Sequence, residues 1–310
     1  MKSPMIWYRC PRCRGSLDDR LCCPACRLDV PHVRLGATLV GDFLAARGAD
    51  RPACPLHGRK CHVELSRLAA PTPAQVAAPK TYHHKGKLLS ALGKVAAQVV
   101  LDVGCREGPI AHVLAADNTL IGLDVCPVGM LTGSPNALDK GYAALLVADA
   151  TDIPLADGQV DIVIATDLLE HFIDPPALVD ELARVLRPGG RLLASVPNLV
   201  SYNNRLSILA GSGVGIELHA PFCGRGIVNP ITGPRYPDQD QHLRWFTGRS
   251  LARMLESRGL RVVRRLGYDP VLSRLPGMDR LLRNGCQVAA VVARKPTSPA
   301  PPTRRPPRPG

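Results

Sequence analysis

The sequence is poor in aromatic side chains and has no long apolar run. Phe, Trp and Tyr together make up 4% of its 310 residues, so a core must be built mainly from Leu, Val, Ala and Ile. No apolar segment approaches the ~18–20 residues that a membrane-spanning helix needs. The first residues, MKSPMIWYRCPRC, lack the apolar stretch of a secretory signal. We therefore expect a cytoplasmic protein without membrane association.

A disulfide framework is not expected, because thiols stay reduced in the cytoplasm. Clustered cysteines among the eleven are better explained as metal ligands. Cys10-Pro-Arg-Cys13 and Cys23-Pro-Ala-Cys26 are two C-x-x-C pairs separated by nine residues, which suits tetrahedral zinc. Cys22 is an alternative ligand, but Cys23 gives the regular spacing. A second group with irregular spacing is a weaker candidate: Cys54, His57, Cys61 and His62.

Acidic residues are too few to balance the basic ones, and the formal net charge is +13. Five of the positive charges lie in the acid-free tail from Arg294 to Gly310. A positive surface can bind a polyanion such as RNA. An arginine-rich composition with a basic tail is the favoured explanation, because no aromatic residues interleave with these arginines.

The composition divides the chain into four parts. Residues 1–45 hold the cysteine pairs, and residues 46–81 read as a linker rich in Ala, Pro and Arg. Residues 82–295 alternate strand-like and helix-like segments. Residues 296–310 are rich in proline and basic residues, which predicts a disordered tail.

The alternating part predicts an α/β fold with a doubly wound sheet and helices on both faces. The expected strands are Gln98–Val103, Leu120–Asp124, Ala143–Ala148, Val160–Thr166, Arg191–Val196, Leu260–Leu266 and Gln287–Ala293. The expected helices cover Pro109–Ala116, a segment around Leu178–Leu186 that Pro188-Gly189-Gly190 terminates, and a segment around Leu251–Leu255 that begins near Thr247 or Ser250. Ligands of such sheets bind at the carboxyl ends of the strands.

A glycine-bearing turn follows the first expected strand in VVLDVGCREG. Gly104 permits a sharp turn, and Gly108 permits a close approach of the following segment to the strand. Asp124 ends the next strand, where an acid can accept both hydroxyls of an adenosine ribose. Asp149 ends the third strand, where its carboxylate can accept the adenine amino group while the Ala150 N–H donates to the ring. Strand-end capping and turn formation are alternative roles for both acids.

Four segments, VLDVGCREG, IGLDVCP, ADATDIPLADGQVDIVIATDLLEHFIDP and ELARVLRPGGRLLASVPN, occur in this order. Together they resemble class I S-adenosylmethionine (SAM)-dependent methyltransferases over residues 82–295. The resemblance implies a Rossmann-like, seven-stranded sheet with an antiparallel last strand, and SAM as cofactor. The residues it implies at the cofactor are Asp102, Gly104, Cys105, Gly108, Asp124, Val125, Asp149, Ala150, Thr166 and Asp167. The family has glycine at the position of Arg106, where a Cβ could crowd SAM.

The segment after the fifth strand resembles the branch that modifies sugars and other small molecules. It implies an acceptor lid over residues 199–246. Five residues of this lid could contact a polar acceptor: Tyr202, Asn203, Asn204, His219 and Tyr236. The candidate general bases are His171 and His242; packing or capping is the alternative for each.

The pattern CPRCRGSL…CCPACRLDVPHVRLGA resembles the zinc-ribbon module that is a partner subunit of tRNA methyltransferases. The resemblance implies a structural zinc ion on Cys10, Cys13, Cys23 and Cys26. We predict SAM-dependent O- or N-methylation of a small-molecule acceptor, such as a sugar or secondary metabolite. One alternative is an RNA methyltransferase whose ribbon contacts RNA, which the lack of aromatic stacking residues and of an NPPY tetrapeptide disfavours. The other is a non-catalytic scaffold. The oligomeric state does not follow from the sequence.

Overall fold

The centre of the fold is an apolar strand that is buried along its whole length, Val99–Val103. The computed structural model describes residues 6–35, 37–46, 83–106, 108, 111–131, 137, 141–209, 242–269 and 277–298. Within these residues the strands are β1 (His32–Leu35), β2 (Thr38–Asp42), β3 (Val99–Val103), β4 (Thr119–Asp124), β5 (Ala144–Val147), β6 (Val160–Thr166), β7 (Leu186–Pro197), β8 (Arg261–Tyr268) and β9 (Val288–Arg294).

The α-helices are short and connect these strands. They are α1 (Phe43–Ala46), α2 (His83–Leu89), α3 (Pro127–Leu131), α4 (Pro175–Val185), α5 (Tyr202–Leu209), α6 (Gly248–Ser257) and α7 (Met278–Leu281). Short 3₁₀ helices cover Ser90–Leu92, Ala111–Asp117, Leu169–His171 and Arg283–Gly285. Among the described helices, none is long and apolar enough to cross a membrane.

Both faces of the sheet carry an apolar core, as a doubly wound fold requires. Leu101 of β3 belongs to one buried cluster, and its neighbour Val100 belongs to the other. Each face is covered because successive side chains of a strand point to opposite sides. The predicted α/β sheet is therefore confirmed.

The number of strands in the sheet differs from the prediction of seven. The order is β1-β2-β5-β4-β3-β6-β7-β9-β8, which makes nine strands among the described residues. Seven of them are the expected strands, and β9 is antiparallel to both β7 and β8 as expected. The two additional strands, β1 and β2, come from the N-terminal part of the chain.

The additional strands cover the edge of β5. Thr38–Asp42 of β2 pairs parallel with β5, from Leu39 opposite Ala144 to Asp42 opposite Val147. An unpaired edge strand presents free N–H and C=O groups, which the pairing satisfies. The prediction of seven strands was wrong because it considered residues 82–295 only, whereas this pairing joins distant parts of the sequence.

The helix that precedes β7 ends earlier than expected. It ends at Val185, and Leu186 already belongs to β7, opposite Val160. The register shifts between Val160 and Ile162, so that Pro188-Gly189-Gly190 forms an irregularity within the strand. The turn residues therefore bend a strand rather than terminate a helix. In α6, Thr247 is the N-cap and forms a capping box with Ser250.

Several predicted segments lie outside the described residues. These are most of the linker at 46–81, the central part of the lid at 210–241, most of the tail at 296–310, and the residues His219, Tyr236, Cys54, His57, Cys61 and His62.

Candidate functional site

The predicted cofactor residues lie at one edge of the sheet, where the parallel strands β3, β4, β5 and β6 end. Asp124 of β4 lies opposite Val147 of β5. Thr166 ends β6 and lies opposite Ser195 of β7. The register therefore brings these strand ends together, as the sequence predicted.

The turn after β3 has three residues in the left-handed region: Gly104 at φ 73°, Arg106 at φ 45° and Gly108 at φ 68°. The N–H groups of Gly104 and Cys105 both donate to the carbonyl of Leu123, at 2.8 and 3.1 Å. A Cβ built on Gly104 would lie 2.9 Å from the Leu168 side chain. The turn is therefore held against β4 and against the segment that follows β6.

Asp124 fastens this turn to the end of β4. Its Oδ2 accepts from the Arg106 N–H at 3.0 Å, and its Oδ1 accepts from the Cys126 N–H at 2.8 Å. The residue is 7% exposed. These two bonds fix the carboxylate between the turn after β3 and the end of β4.

Arg106 has the backbone conformation that favours glycine, which explains why a glycine is expected there. The left-handed conformation costs a residue with a Cβ about 1–2 kcal/mol. We expect Arg106→Gly to be more stable than Arg106→Ala by about 1 kcal/mol in urea unfolding, because both variants lack the side chain and only alanine keeps the strain. Equal stability of the two variants would contradict the strained turn.

Asp102 and Cys105 are buried beneath the turn. The Tyr142 hydroxyl donates to Asp102 Oδ2 at 2.6 Å, and Asp102 is 1% exposed. Burial, followed by the charge of Asp102, raises the pKa of Tyr142 well above its usual value. The Cys105 sulfur lies near Gly122, where a Cβ would approach it to 2.9 Å. The side chains of both predicted residues thus support the turn from within the core.

Asp149 and Ala150 follow β5. Asp149 Oδ1 accepts from the Thr151 N–H at 2.8 Å and from the Thr151 hydroxyl at 2.7 Å, which is a turn-forming arrangement.

A surface cleft adjoins Asp149, and its other walls include Arg9, Cys10, Arg14 and Phe43. The N-terminal segment therefore contributes to the surface beside this strand end, which the sequence did not indicate. Val125, after Asp124, is partly exposed.

Thr166 and Asp167 end β6 at the same edge. Thr166 is 6% exposed, and Asp167 adopts a left-handed conformation at φ 52°. The Ser195 hydroxyl donates to Asp167 Oδ1 at 2.9 Å, while the Asp167 N–H donates to the Ser195 carbonyl at 2.9 Å. Asp167 is thus fixed in a tight turn between β6 and the Leu169–His171 helix.

The two candidate catalytic histidines lie together, although they are distant in the sequence. Their ring centroids are 5.0 Å apart. Glu170 lies between them, with its Oε1 at 4.0 Å from His171 Nε2 and 3.9 Å from His242 Nε2. The sequence reasoning missed Glu170; its position directly before His171 was the available signal.

The four predicted zinc ligands converge. The sulfurs of Cys10 and Cys26 are 3.6 Å apart, and those of Cys13 and Cys23 are 3.4 Å apart. Four sulfurs around one zinc ion, at ~2.3 Å each, lie about 3.8 Å from one another. The donor set thus fits a thiolate zinc site, and all four sulfurs lie within 4.8 Å of one another.

Both cysteine turns have the same backbone geometry. The N–H of Cys10 donates to the Gly15 carbonyl at 2.7 Å, and that of Cys23 donates to the Leu28 carbonyl at 2.8 Å. Arg14 and Arg27 occupy matching left-handed positions, at φ 67° and 56°. In the second turn, the backbone N–H of Cys26 lowers the pKa of the Cys23 thiol to about 6.

The cysteine-bearing segment packs against the rest of the sheet. The Arg9 guanidinium lies 3.1 Å from both Asp152 and Glu181, and Arg14 forms a second ion pair with Asp152. The Arg9 N–H donates to the Pro154 carbonyl at 3.1 Å. Cys10 and Cys23 belong to the same buried cluster as the core of β3 and β4. The segment and the sheet therefore share one core.

The sequence profile of a family described as "Methyltransferase domain" matches residues 64–265. A "probable S-adenosylmethionine-dependent methyltransferase" of Mycolicibacterium smegmatis is 34% identical over 113 residues, which are 36% of this chain and 42% of that protein. A ubiquinone biosynthesis O-methyltransferase of Klebsiella pneumoniae is 31% identical over 116 residues, which are 36% of this chain and 48% of that protein. The chain thus spans less than half the length of these curated relatives.

Solved structures with a similar fold include complexes. One is the phosphoethanolamine N-methyltransferase 2 of Haemonchus contortus with SAM, at a TM-score of 0.49 and 17% identity, covering 71% of this chain and 54% of that chain. Another is a complex between the Trm112 methyltransferase activator of Haloferax volcanii and a methyltransferase. Its TM-score is 0.46 at 17% sequence identity, and the match covers 69% of this chain and 89% of that chain. Likeness at this level assigns no ligand or partner to this chain.

Proposed function

Because this chain belongs to the methyltransferase-domain family, we propose that it binds SAM at the carboxyl edge of the sheet and transfers the methyl group to a small polar acceptor. The observation that supports the proposal best is the hydrogen bond of 3.0 Å from the Arg106 N–H to Asp124 Oδ2, which holds the turn after β3 against the end of β4. It prepares a carboxylate beside a glycine turn, where an adenosine ribose would be held.

The cofactor contacts divide between backbone and side chains in this proposal. Asp102 and Cys105 are buried beneath the turn, so their part of the methionine site is provided by backbone groups. Gly104 and Gly108 leave room for close approach. Asp149 and Ala150 face the adenine, and Thr166 and Asp167 lie beside the sulfonium. In-line transfer from a sulfonium mainly requires alignment of donor and acceptor, which can supply ~7–11 kcal/mol of the barrier.

The acceptor binds next to His171 and His242. The Leu169–His171 helix follows directly on Leu168, whose side chain lies 2.9 Å from the position that a Cβ on Gly104 would occupy. The His171 N–H donates to the Leu168 carbonyl at 3.1 Å. The histidine pair therefore adjoins the cofactor turn, and its imidazoles can assist loss of the acceptor proton. Asn204, predicted as a lid contact, instead donates to the Leu199 carbonyl at 3.0 Å and is 4% exposed.

A small-molecule acceptor is favoured over RNA, because the described surface offers few exposed aromatic side chains for base stacking. Trp7, Trp245 and Tyr202 are each 39–48% exposed, and they belong to separate parts of the chain. The cysteine cluster holds a structural zinc ion in this proposal, since a closed set of four thiolates leaves no position for a substrate.

We expect Asp124→Asn to weaken SAM binding by about 10–100-fold. The amide keeps one acceptor oxygen but loses the charge and one of the two bonds from the Arg106 and Cys126 N–H groups, a loss of ~1.5–3 kcal/mol. Calorimetric titration with SAM measures the change. Asp117→Asn, at an exposed acid near β4, is the matched control and should bind like the parent chain. Unchanged affinity in Asp124→Asn would remove Asp124 from the cofactor site.

The proposal is tested in two stages with the full chain. Calorimetry with SAM comes first, and absence of binding at millimolar SAM would overturn the cofactor assignment. Methyl-labelled SAM is then incubated with total RNA and, separately, with a small-metabolite extract. We expect label in the metabolite fraction. Label that accumulates mainly in RNA would favour the RNA alternative, and binding without any transfer would favour the scaffold.

A further inference from the structure

We infer that Glu170, His171 and His242 form a binding site for a divalent first-row transition-metal ion, beside the predicted cofactor turn. The candidate ligand atoms of the three residues all lie within 4.8 Å of one another. The inference is independent of SAM as far as metal binding is concerned. The role of the ion in methyl transfer rests on the proposed function.

The distances fit a shared ion better than direct hydrogen bonds. The two Nε2 atoms lie 4.0 and 3.9 Å from the same carboxylate oxygen of Glu170. Hydrogen bonds of this type are ~2.7–3.2 Å long, so neither imidazole is hydrogen-bonded to that oxygen. Ligands of a tetrahedral ion with ~2.1 Å bonds lie about 3.4 Å apart. Movements of about half an ångström would bring each Nε2 to that separation from Oε1, and the ligand atoms of all three residues lie within 4.8 Å of one another.

The burial of the three side chains matches an open metal site. The Glu170 side chain is 2% exposed, whereas His171 and His242 are 27% and 19% exposed. A divalent ion bound there would place a positive charge beside the buried carboxylate, which favours its ionised form. Three protein ligands with one accessible side leave a coordination position for water or an acceptor, as in catalytic rather than structural sites.

The backbone holds the two histidines in place. The N–H groups of Leu243 and Arg244 donate to the Glu170 carbonyl at 2.7 and 3.0 Å. Phe246 pairs with Asn198 at the end of β7, and the Leu199 N–H donates to the Phe246 carbonyl at 2.9 Å. The segment that carries His242 is therefore fastened on two sides, which brings its imidazole to Glu170 without help from the substrate.

The donor set indicates which ions bind. Two imidazole nitrogens and one carboxylate suit Zn²⁺, Fe²⁺, Co²⁺ and Mn²⁺, whereas Mg²⁺ and Ca²⁺ prefer oxygen alone. When bound, the ion would replace the free imidazoles in assisting loss of the acceptor proton: it would bind the acceptor oxygen and favour release of its proton to solvent. That oxygen forms a bond to the methyl carbon while the S–CH₃ bond breaks, and the products are the methylated acceptor, S-adenosylhomocysteine and one proton.

Mn²⁺ is the probe that separates this site from the cysteine cluster, because it prefers nitrogen and oxygen ligands to thiolates. The full chain, loaded with one equivalent of zinc for the cysteine cluster, is titrated with Mn²⁺, and free Mn²⁺ is followed by electron paramagnetic resonance. We expect one bound Mn²⁺ per chain. Glu170→Gln, His171→Asn and His242→Asn should each weaken binding by at least about 10–100-fold, since even outer-sphere changes have effects of that size.

His32→Asn is the matched control, because His32 is exposed and remote in sequence from this cluster. It should bind Mn²⁺ like the parent chain, and the thermal unfolding of each variant verifies that it is folded. Failure of the parent chain to bind Mn²⁺ or Zn²⁺ beyond the cysteine cluster overturns the inference, as does undiminished binding in all three ligand variants. SAM calorimetry on the same samples keeps the two proposals separate: SAM binding without Mn²⁺ binding refutes the metal site alone.

Discussion

Removal of zinc from the cysteine cluster is expected to unfold the N-terminal segment and to destabilise the sheet to which it is joined. Structural zinc contributes about 10–16 kcal/mol to folding in zinc-finger peptides at pH 7. That exceeds or matches the ~5–15 kcal/mol by which whole domains are stable. The zinc ion would join the two cysteine turns, because the Cys10–Cys26 and Cys13–Cys23 sulfurs, 3.6 and 3.4 Å apart, each connect one turn to the other.

The consequence extends beyond the segment because β2 covers the edge of β5. When the cysteine turns unfold, Arg9 and Arg14 leave Asp152, and the parallel pairing of Leu39 with Ala144 loses its support. β5 precedes Asp149, so we expect zinc removal to weaken SAM binding as well as to lower the unfolding temperature. Metal analysis should find at least one zinc per chain before chelation.

Adjacent cysteines provide the control for this prediction. Cys23→Ser removes a member of the converging cluster, whereas Cys22→Ser changes a neighbouring thiol outside it. Thermal unfolding under reducing conditions should show a loss of several kcal/mol for Cys23→Ser and little change for Cys22→Ser. Hydrogen exchange at the β2 amides should become fast in the first variant only. Identical behaviour of the two variants would contradict zinc binding at the predicted ligands.

The sheet was predictable where the sequence pattern is local. β6 has the expected bounds, Val160–Thr166, because an apolar run between polar turns determines a buried strand without reference to the rest of the chain. β1 and β2 were not predictable in this way. Thr38–Asp42 is a short segment that becomes a strand by pairing with β5, about a hundred residues away in the sequence, and periodicity within the segment cannot reveal that partner.

The candidate site was predictable as a set of strand ends but not in its side-chain orientations. The sequence indicates that Asp102 and Asp124 lie at the ends of neighbouring strands. It does not indicate that Asp102 is bonded to Tyr142 at 2.6 Å beneath the turn, while Asp124 accepts from the turn itself. Both carboxylates lie on the same face of the sheet, because Asp102 is opposite Gly122, two residues before Asp124. The difference therefore depends on the path of the turn after β3 and on the position of Tyr142, which strand periodicity does not reveal. The sequence did not indicate Glu170 as a site residue, because Glu170 becomes part of the site only when the fold brings His242 beside it.

Replacement of His171 and His242 by alanine is expected to lower the rate of methyl transfer by about 10²–10⁴-fold, the usual range for loss of assisted proton transfer. The pair adjoins the cofactor turn through Leu168, and the proposed SAM contacts lie elsewhere. The affinity for SAM should therefore stay within about threefold of the parent chain. Transfer of label into a small-metabolite extract measures the rate even while the acceptor is unidentified.

The division between rate and affinity makes this prediction specific. A loss of kcat with unchanged SAM affinity means that the histidines act in the transition state, whereas a parallel loss of SAM binding means that they only support the fold. His32→Ala, at an exposed histidine, should change neither quantity.

Since both imidazoles face the same Glu170 oxygen at about equal distances, 4.0 and 3.9 Å, each single variant should lose nearly as much rate as the double variant. Additive losses would instead indicate that the two imidazoles act independently, and an unchanged rate would assign the pair to packing.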